Sequence, residues 1–368
     1  MKNYLIFGGL KSLDYFVWID GGGTYGAPRR SVEYVSVPGR NGDLIIDGGK
    51  WENIEVTYDA FIPKKFPQKI NDFRMALCNK LGYQRLEDTY HPDEYRLASF
   101  EGDIEPVTTQ WNRGGTFSLV FNCKPQRYLK SGEEPLQFMP PVTLAGSMNS
   151  GYMPIAGPLN YKVHCAAGED LTVEVVTYDS TGTQRTTTTE YCGDGDEHNV
   201  TFATADKYFR IMVSNIESID TTWLEVVTSI EYGGDTIPVN AIFTRNWTIQ
   251  NPTGYTTEPM IESFGSMLPF MTITNYIDGE AEDFYDFHSN QQSQTHIWMD
   301  CDLQYLYDDN GNNLTQYLFL TTAETAAGKG LVFPKLGPDE IKLEFYYSSA
   351  AVDQGAGLIQ IYPRWWKL

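Results

Sequence analysis

The stretch Val35 to Ile46, VSVPGRNGDLII, sets Pro38, Gly39, Arg40, Asn41 and Gly42 between two apolar runs. Two glycines and an arginine are the raw material of a phosphate cradle, because glycine lets backbone N–H groups approach an anion and arginine forks onto it. A phosphate loop of that kind ends in Gly-Lys-Ser/Thr at a helix N-terminus. Here DLII continues as strand, so the spacing predicts a tight turn on a hairpin.

A second glycine-rich stretch, YFVWIDGGGTYG from Tyr15 to Gly26, resembles the first phosphate loop of the sugar-kinase and actin superfamily. That fold needs alternating strands and helices and a second glycine-rich loop, and only one stretch of this chain reads as a strong helix. Glycines at a hairpin end are the simpler reading. The histidines, His91, His164, His198, His288 and His296, lie at no zinc-like spacing. DCDLQYLYDDNGNN, Asp300 to Asn313, is rich in oxygen ligands but lacks the glycine at loop position six and the glutamate at twelve of a calcium-binding hand. It reads as an Asp-Asn-Gly turn. There is no G-x-S-x-G elbow, and Glu133 and Glu134 sit in a linker-like segment as solvated charge. No catalytic residue, metal site or cofactor is nominated. The five cysteines, Cys78, Cys123, Cys165, Cys192 and Cys301, are widely spaced and read as buried free thiols.

Aromatic residues make up 14% of the chain. Pyranose C–H faces pack on aromatic rings, so Tyr152, Tyr178, Tyr191, Tyr208 and Trp223 form a candidate saccharide platform, with core packing as the competing role for each. The closing run Pro363, Arg364, Trp365, Trp366 is a candidate packing motif. Adjacent residues of a strand face opposite sides, so two tryptophans need two apolar surfaces, and Arg364 can stack nearby as a cation–π partner.

The elements that must position these residues are mainly strands. Tyr, Thr, Val and Ile in period-two alternation, punctuated by Gly and Pro, predict antiparallel β-structure, with WENIEVTYDAF at 51–61 a clear alternating strand. One helix is expected over 66–81, with Ile70, Phe73, Met75, Leu77 and Leu81 on its apolar face and Gly82 as its stop. A Pro/Gly/Ser-rich connector from about 140 precedes six short strand-like segments, so three domains are expected: an N-terminal one over 1–135, a β-sandwich inserted over 139–238, and a C-terminal one over 239–368 whose first strand lies near 135–145. The N-terminal apolar runs are too short for a secretory signal or a membrane span. With 27 basic and 48 acidic residues, net −21, counterion release from a nucleic-acid backbone cannot drive binding.

In this order, VEYVSVPGRNGDLIIDGGKWENIEVTYDAFI, INDFRMALCNKLGYQRLED, EYRLASF and GGTFSLVFNCKPQRYL resemble the N-terminal domain of the distal tail proteins of long-tailed bacteriophages. IQNPTGYTTEPMI, MDCDLQYLYDDNGNNLT, FPKLGPDEIKLEF and IQIYPRWWKL are similar to that family's second domain. The resemblance covers about two-thirds of the chain and implies a β-sandwich-like N-terminal ring domain with one helix and a C-terminal galectin-like β-sandwich. It further implies a non-enzymatic virion protein that forms a ring, usually a hexamer, at the tail tip. Such a ring joins the tail tube protein to the baseplate hub and carries receptor-binding proteins or fibres. The protein would be made in the host cytoplasm. Pro38 to Gly42 matches the family's turn motif. The 139–238 insert departs from the basic pattern; in relatives such inserts often bind carbohydrate, here a host cell-wall saccharide, or dock a neighbouring baseplate protein. A free-standing carbohydrate-binding protein without a ring is the alternative, and a β-rich glycoside hydrolase would need an opposed carboxylate pair that cannot be named.

Overall fold

The computed structural model describes residues 3–21, 25–109, 113–139, 142–144, 147–150, 153–166, 168–216, 223–232, 235–242, 244, 246–264, 270–289, 296–320, 332–346 and 358–368. They form a mainly β protein in two compact units, residues 1–132 with 365–368, and residues 133–364.

The first unit is built on a nine-stranded sheet whose central path runs Leu10–Lys11, Leu5–Phe7, Gln84–Asp88, Glu94–Ser99, Gly115–Leu129, Ile54–Ile62 and Trp18–Asp20, all pairs antiparallel. In Ile54–Ile62 the alternation is strict: Val56, Tyr58, Ala60 and Ile62 are buried, as period two demands of a sheet with one face on the core. The long strand Gly115–Leu129 loses register with its neighbour between Cys123 and Arg127. Pro125 lies in that gap and has no N–H to give the ladder. The carbonyls this leaves are met by the Arg96 guanidinium, which donates to the Lys124 and Pro125 oxygens at 3.4 and 3.0 Å.

The helix spans Phe66–Cys78, with Pro67 at its first turn, and buries Phe66, Ile70, Phe73 and Leu77. Their spacing of four, three and four residues is one face at 3.6 per turn. Two expected members of that face are exposed, Met75 and Leu81. Met75 is two residues from both Phe73 and Leu77, hence on the opposite side, and the helix ends three residues before Leu81. Gly82, at φ 67°, turns the chain after that end.

In the second unit, two five-stranded sheets form one sandwich. One runs Leu136–Phe138, Ile359–Tyr362, Met260–Phe264, His296–Asp300, Tyr305–Asp308; the other runs Asn246–Gln250, Glu340–Tyr346, Phe270–Ile277, Glu280–Ser289, Leu318–Leu320. Phe138 of the first sheet meets Trp247 and Phe345 of the second at ring-centroid distances of 5.0 and 5.5 Å, bridging the two layers.

Between Phe138 and Asn246 lies a second sandwich. Its larger sheet orders Val142–Leu144, Ser147–Asn149, Tyr208–Ser214, Leu171–Tyr178 and Gln184–Cys192; its smaller sheet orders Glu197–Val200, Leu159–Val163, Leu224–Tyr232 and Asp235–Ile242. Val173, Val175, Phe209, Ile211, Val213, Tyr161, Val163, Trp223 and Val226 fill its core, joined by Met139 and Leu358 from the chain on either side. The smaller sheet runs past Pro238 to Ile242. Gln137 fastens that last strand, its side-chain amide donating to the Pro238 oxygen at 2.6 Å and accepting from the Asn240 N–H at 2.7 Å.

Candidate functional site

The Pro-Gly-Arg-Asn-Gly motif caps a hairpin. Arg30–Val35 pairs antiparallel with Leu44–Trp51 as a two-stranded sheet of its own. At its tip the Arg40 N–H donates to the Val37 oxygen at 3.1 Å, with Gly39 at φ 83°. That is a type II turn with Pro38 at its second position and glycine where φ must be positive. Gly42 also sits at φ 83°. Near the base the register shifts, and a Cβ on Gly48 would lie 2.9 Å from the Ser31 oxygen. Arg30 clamps this end, bonded to Asp47 at 2.6 Å and lying over the Trp51 ring at 5.1 Å.

Every residue from 36 to 50 is exposed. Tyr34 and Ile45, directly paired on one face, are 59% and 60% exposed; Leu44 and Ile46 on the other face are 42% and 48% exposed. A lone two-stranded ribbon is marginal in water, and one with apolar side chains on both faces is a surface for association. Period two in VEYV and LIID brings these residues together, but only the structure shows that no third strand joins the ribbon among the described residues.

The closing run behaves differently from expectation. Arg364 is held not by a tryptophan but by Asp300, its two terminal nitrogens donating to the two carboxylate oxygens at 2.9 and 2.7 Å. Burial acts to raise the Asp300 pKa, but the Arg364 pairing and the N–H groups of Leu303 and Asp302 hold it below the usual carboxylate value. Pro363 is buried, and its oxygen accepts from the Thr257 hydroxyl at 2.7 Å. The chain then changes unit: Trp365 is buried and its oxygen accepts from the Leu129 N–H at 2.9 Å, while Trp366 pairs with Tyr128 and stays half-buried. Lys367 reaches Glu94 at 2.5 Å, and Arg127 reaches the same carboxylate at 3.2 Å. The two tryptophans therefore pack in the first unit, not in the C-terminal domain to which the sequence assigns them.

The five aromatic residues nominated for saccharide stacking do not form one platform. Trp223 is buried in the core of the inserted sandwich, Tyr178 is buried on the outer face of the larger sheet with the Arg210 guanidinium 5.8 Å over its ring, and Tyr152 lies outside the described residues. Tyr191 and Tyr208 are exposed, but they pair opposite Thr172 and Tyr178, at two ends of one strand, about 20 Å apart at 3.3 Å per residue. A continuous aromatic row sits elsewhere: Trp298 stacks between Tyr307 and Tyr362 at 6.4 and 6.5 Å, and Tyr305 stacks on Tyr307 at 5.4 Å. Alternation in HIWMD, YLYD and IQIY is its trace in the sequence.

The other chemical candidates stay apart. Asp308 accepts the N–H groups of Asn310 and Asn312 at 3.0 and 2.9 Å, closing a turn in which Gly311 has φ 76°. No cluster of three or more His, Cys, Asp or Glu among the described residues could hold a metal. Residues 22–24 of the glycine-rich 15–26 stretch lie outside the described residues. All five thiols are free; Cys78 is exposed and Cys165 half-buried, contrary to expectation, and burial pushes Cys123 up to about 12 and Cys192 up to about 11. No described helix is long and apolar enough to cross a membrane.

No family model matches the chain, and no curated protein matches it. Among solved structures it is similar to the Dit (gp 19.1) protein of phage SPP1, described as a paradigm of the hub adsorption apparatus in phages that infect Gram-positive bacteria. The identity is 9%, the match covers 98% of each chain, and the TM-score is 0.51. It also aligns with chains of the phage P2 baseplate in its activated conformation, with Ca and with Sr, each at 10% identity, 98% and 97% coverage and TM-score 0.39. At such identities the likeness to SPP1 Dit concerns the fold.

Proposed function

We propose that this protein is a non-enzymatic structural component of a phage tail tip. It assembles as a ring, a hexamer by the resemblance in its sequence. That ring connects the tail tube protein to the baseplate hub and to receptor-binding proteins, and the inserted sandwich adds weak contact with a host saccharide. The fold shared with SPP1 Dit over nearly the whole chain supports the class. The observation that carries assembly is the hairpin, a ribbon that no third strand joins among the described residues, with Tyr34, Leu44, Ile45 and Ile46 exposed. Such a ribbon suits a repeated contact between like chains closed by symmetry. A free-standing carbohydrate-binding protein has no use for it. The net charge of −21 suits the wall of a DNA conduit, since like charge keeps phosphates from sticking.

The test replaces Tyr34→Glu and Ile45→Lys together in the full chain. Opposite charges on directly opposed residues keep the hairpin paired, and exposed substitutions shift stability by no more than about 0.5 kcal/mol. The expected result is a folded protein, with the wild-type melting temperature, that sediments as a single chain where the wild type sediments as a ring. An unchanged oligomer would remove the hairpin from the assembly contact.

A further inference from the structure

The smaller sheet of the inserted sandwich turns one face to the core and the other to solvent. Leu159, Tyr161 and Val163 point inward with Leu224 and Val226. By alternation Asn160, Lys162, Glu225 and Val227 point outward, with Glu197 and Asn199 beside them on the edge strand. The registers align them in rows across the strands, Asn199 with Asn160 and Val227, and Glu197 with Lys162 and Glu225. His164 follows at the strand end. A shallow depression of about 620 Å³ lies over this face; its lining includes Asn160, Lys162, Glu197, Asn199, Glu225 and Val227, together with Tyr161 and His198.

Its chemistry is mixed in a particular way. Polar groups pair across the strands in the open: the Asn199 amide donates to the Asn160 oxygen, Lys162 lies 3.2 Å from Glu197, and His164 lies 3.3 Å from Glu225. Pairs of this kind at a solvent-exposed surface contribute little to stability, so they can exchange partners for ligand hydroxyls at small cost. Among them Val227 is 47% exposed, an apolar spot flanked by amides and carboxylates. A ligand that alternates C–H patches with vicinal hydroxyls meets both kinds of group at once. Two carboxylates against one lysine leave the face acidic, which disfavours polyanions.

We propose that this outer face, centred on Asn160, Lys162, Glu225 and Val227, is the saccharide site of the inserted sandwich, and that it takes an uncharged oligosaccharide. The inference rests on the saccharide role given above to the insert and moves the site away from the tyrosines. Because the depression is shallow, one site binds weakly, and copies held in a ring supply the avidity.

The experiment passes fluorescently labelled full-length protein over a printed panel of uncharged hexose and N-acetylhexosamine oligosaccharides, with uronic-acid and polyol-phosphate polymers as anionic arms. The expected result is retention on one or more uncharged glycans, weakened about ten-fold by Asn160→Ala and by Glu225→Gln, with Tyr191→Ala indistinguishable from wild type. The three positions are solvent-accessible, and a matched melting temperature certifies each variant; should one misfold, Lys162→Gln takes its place. Retention that both face variants leave intact, retention lost with Tyr191→Ala, or retention on anionic polymers alone would overturn the assignment of the face. A wild-type protein retained by no glycan would overturn the saccharide role itself and leave the ring untouched.

Discussion

Arg364 adopts φ 55°, left-handed backbone that a non-glycine residue enters at a cost of about 1–2 kcal/mol, and its guanidinium forks onto Asp300 across 64 residues of sequence. The strain and the ion pair can be separated. Arg364→Gly relieves the backbone but loses the pair; Arg364→Ala loses the pair and keeps the strain. Leaving the largely buried Asp300 carboxylate unpaired costs about 1.5–3 kcal/mol, so both variants should unfold at lower urea concentration, with Ala about 1 kcal/mol below Gly. Equal midpoints would show that the conformation stores no strain. The sequence marks this residue as part of a packing motif but offers the neighbouring tryptophans as its partners. A carboxylate that arrives through the strand order of a sheet leaves no local spacing to read, and the same holds for the burial of Trp223 in the inserted core and of Tyr178 beneath Arg210.

At the scale of elements, what local rules specify is legible. Alternation locates Ile54–Ile62, Pro38 and Gly39 give the turn type, and Phe66 to Leu77 give the helix, although its end three residues before Leu81 depends on a stop that Gly82 does not itself supply. The two-residue strand Trp366–Lys367 is too short to have a period, and nothing in the sequence says that it joins the sheet of the first unit. Its tie is Lys367 to Glu94. Burial acts to raise the Glu94 pKa, but Lys367 and Arg127 outweigh it and hold it below its ordinary 4.5. A carboxylate depressed in the folded state stabilises above its unfolded pKa, and the contribution is lost as pH falls through the folded value. Lys367→Met should therefore destabilise the protein at neutral pH, by roughly 1 kcal/mol for a partly exposed pair, and the difference from wild type should close as the pH drops below about 4. Thermal melts across that range decide it; a gap that persists into acid would show that Lys367 acts through packing rather than charge.

For the whole molecule, the mainly β fold is legible from composition and turn spacing, while assembly lies beyond them, because a single chain records only the absence of a partner. The hairpin carries apolar side chains on both faces of a ribbon that no other strand covers among the described residues. The fold of SPP1 Dit, shared at 9% identity, shows how little of such an architecture sequence identity need preserve. The most direct measurement is the number of chains in the particle formed by the purified full-length protein, by native mass spectrometry with negative-stain images of the same sample. The ring reading predicts one closed species of about six copies with a central opening. A single chain at every concentration, or open filaments of variable length, would contradict it.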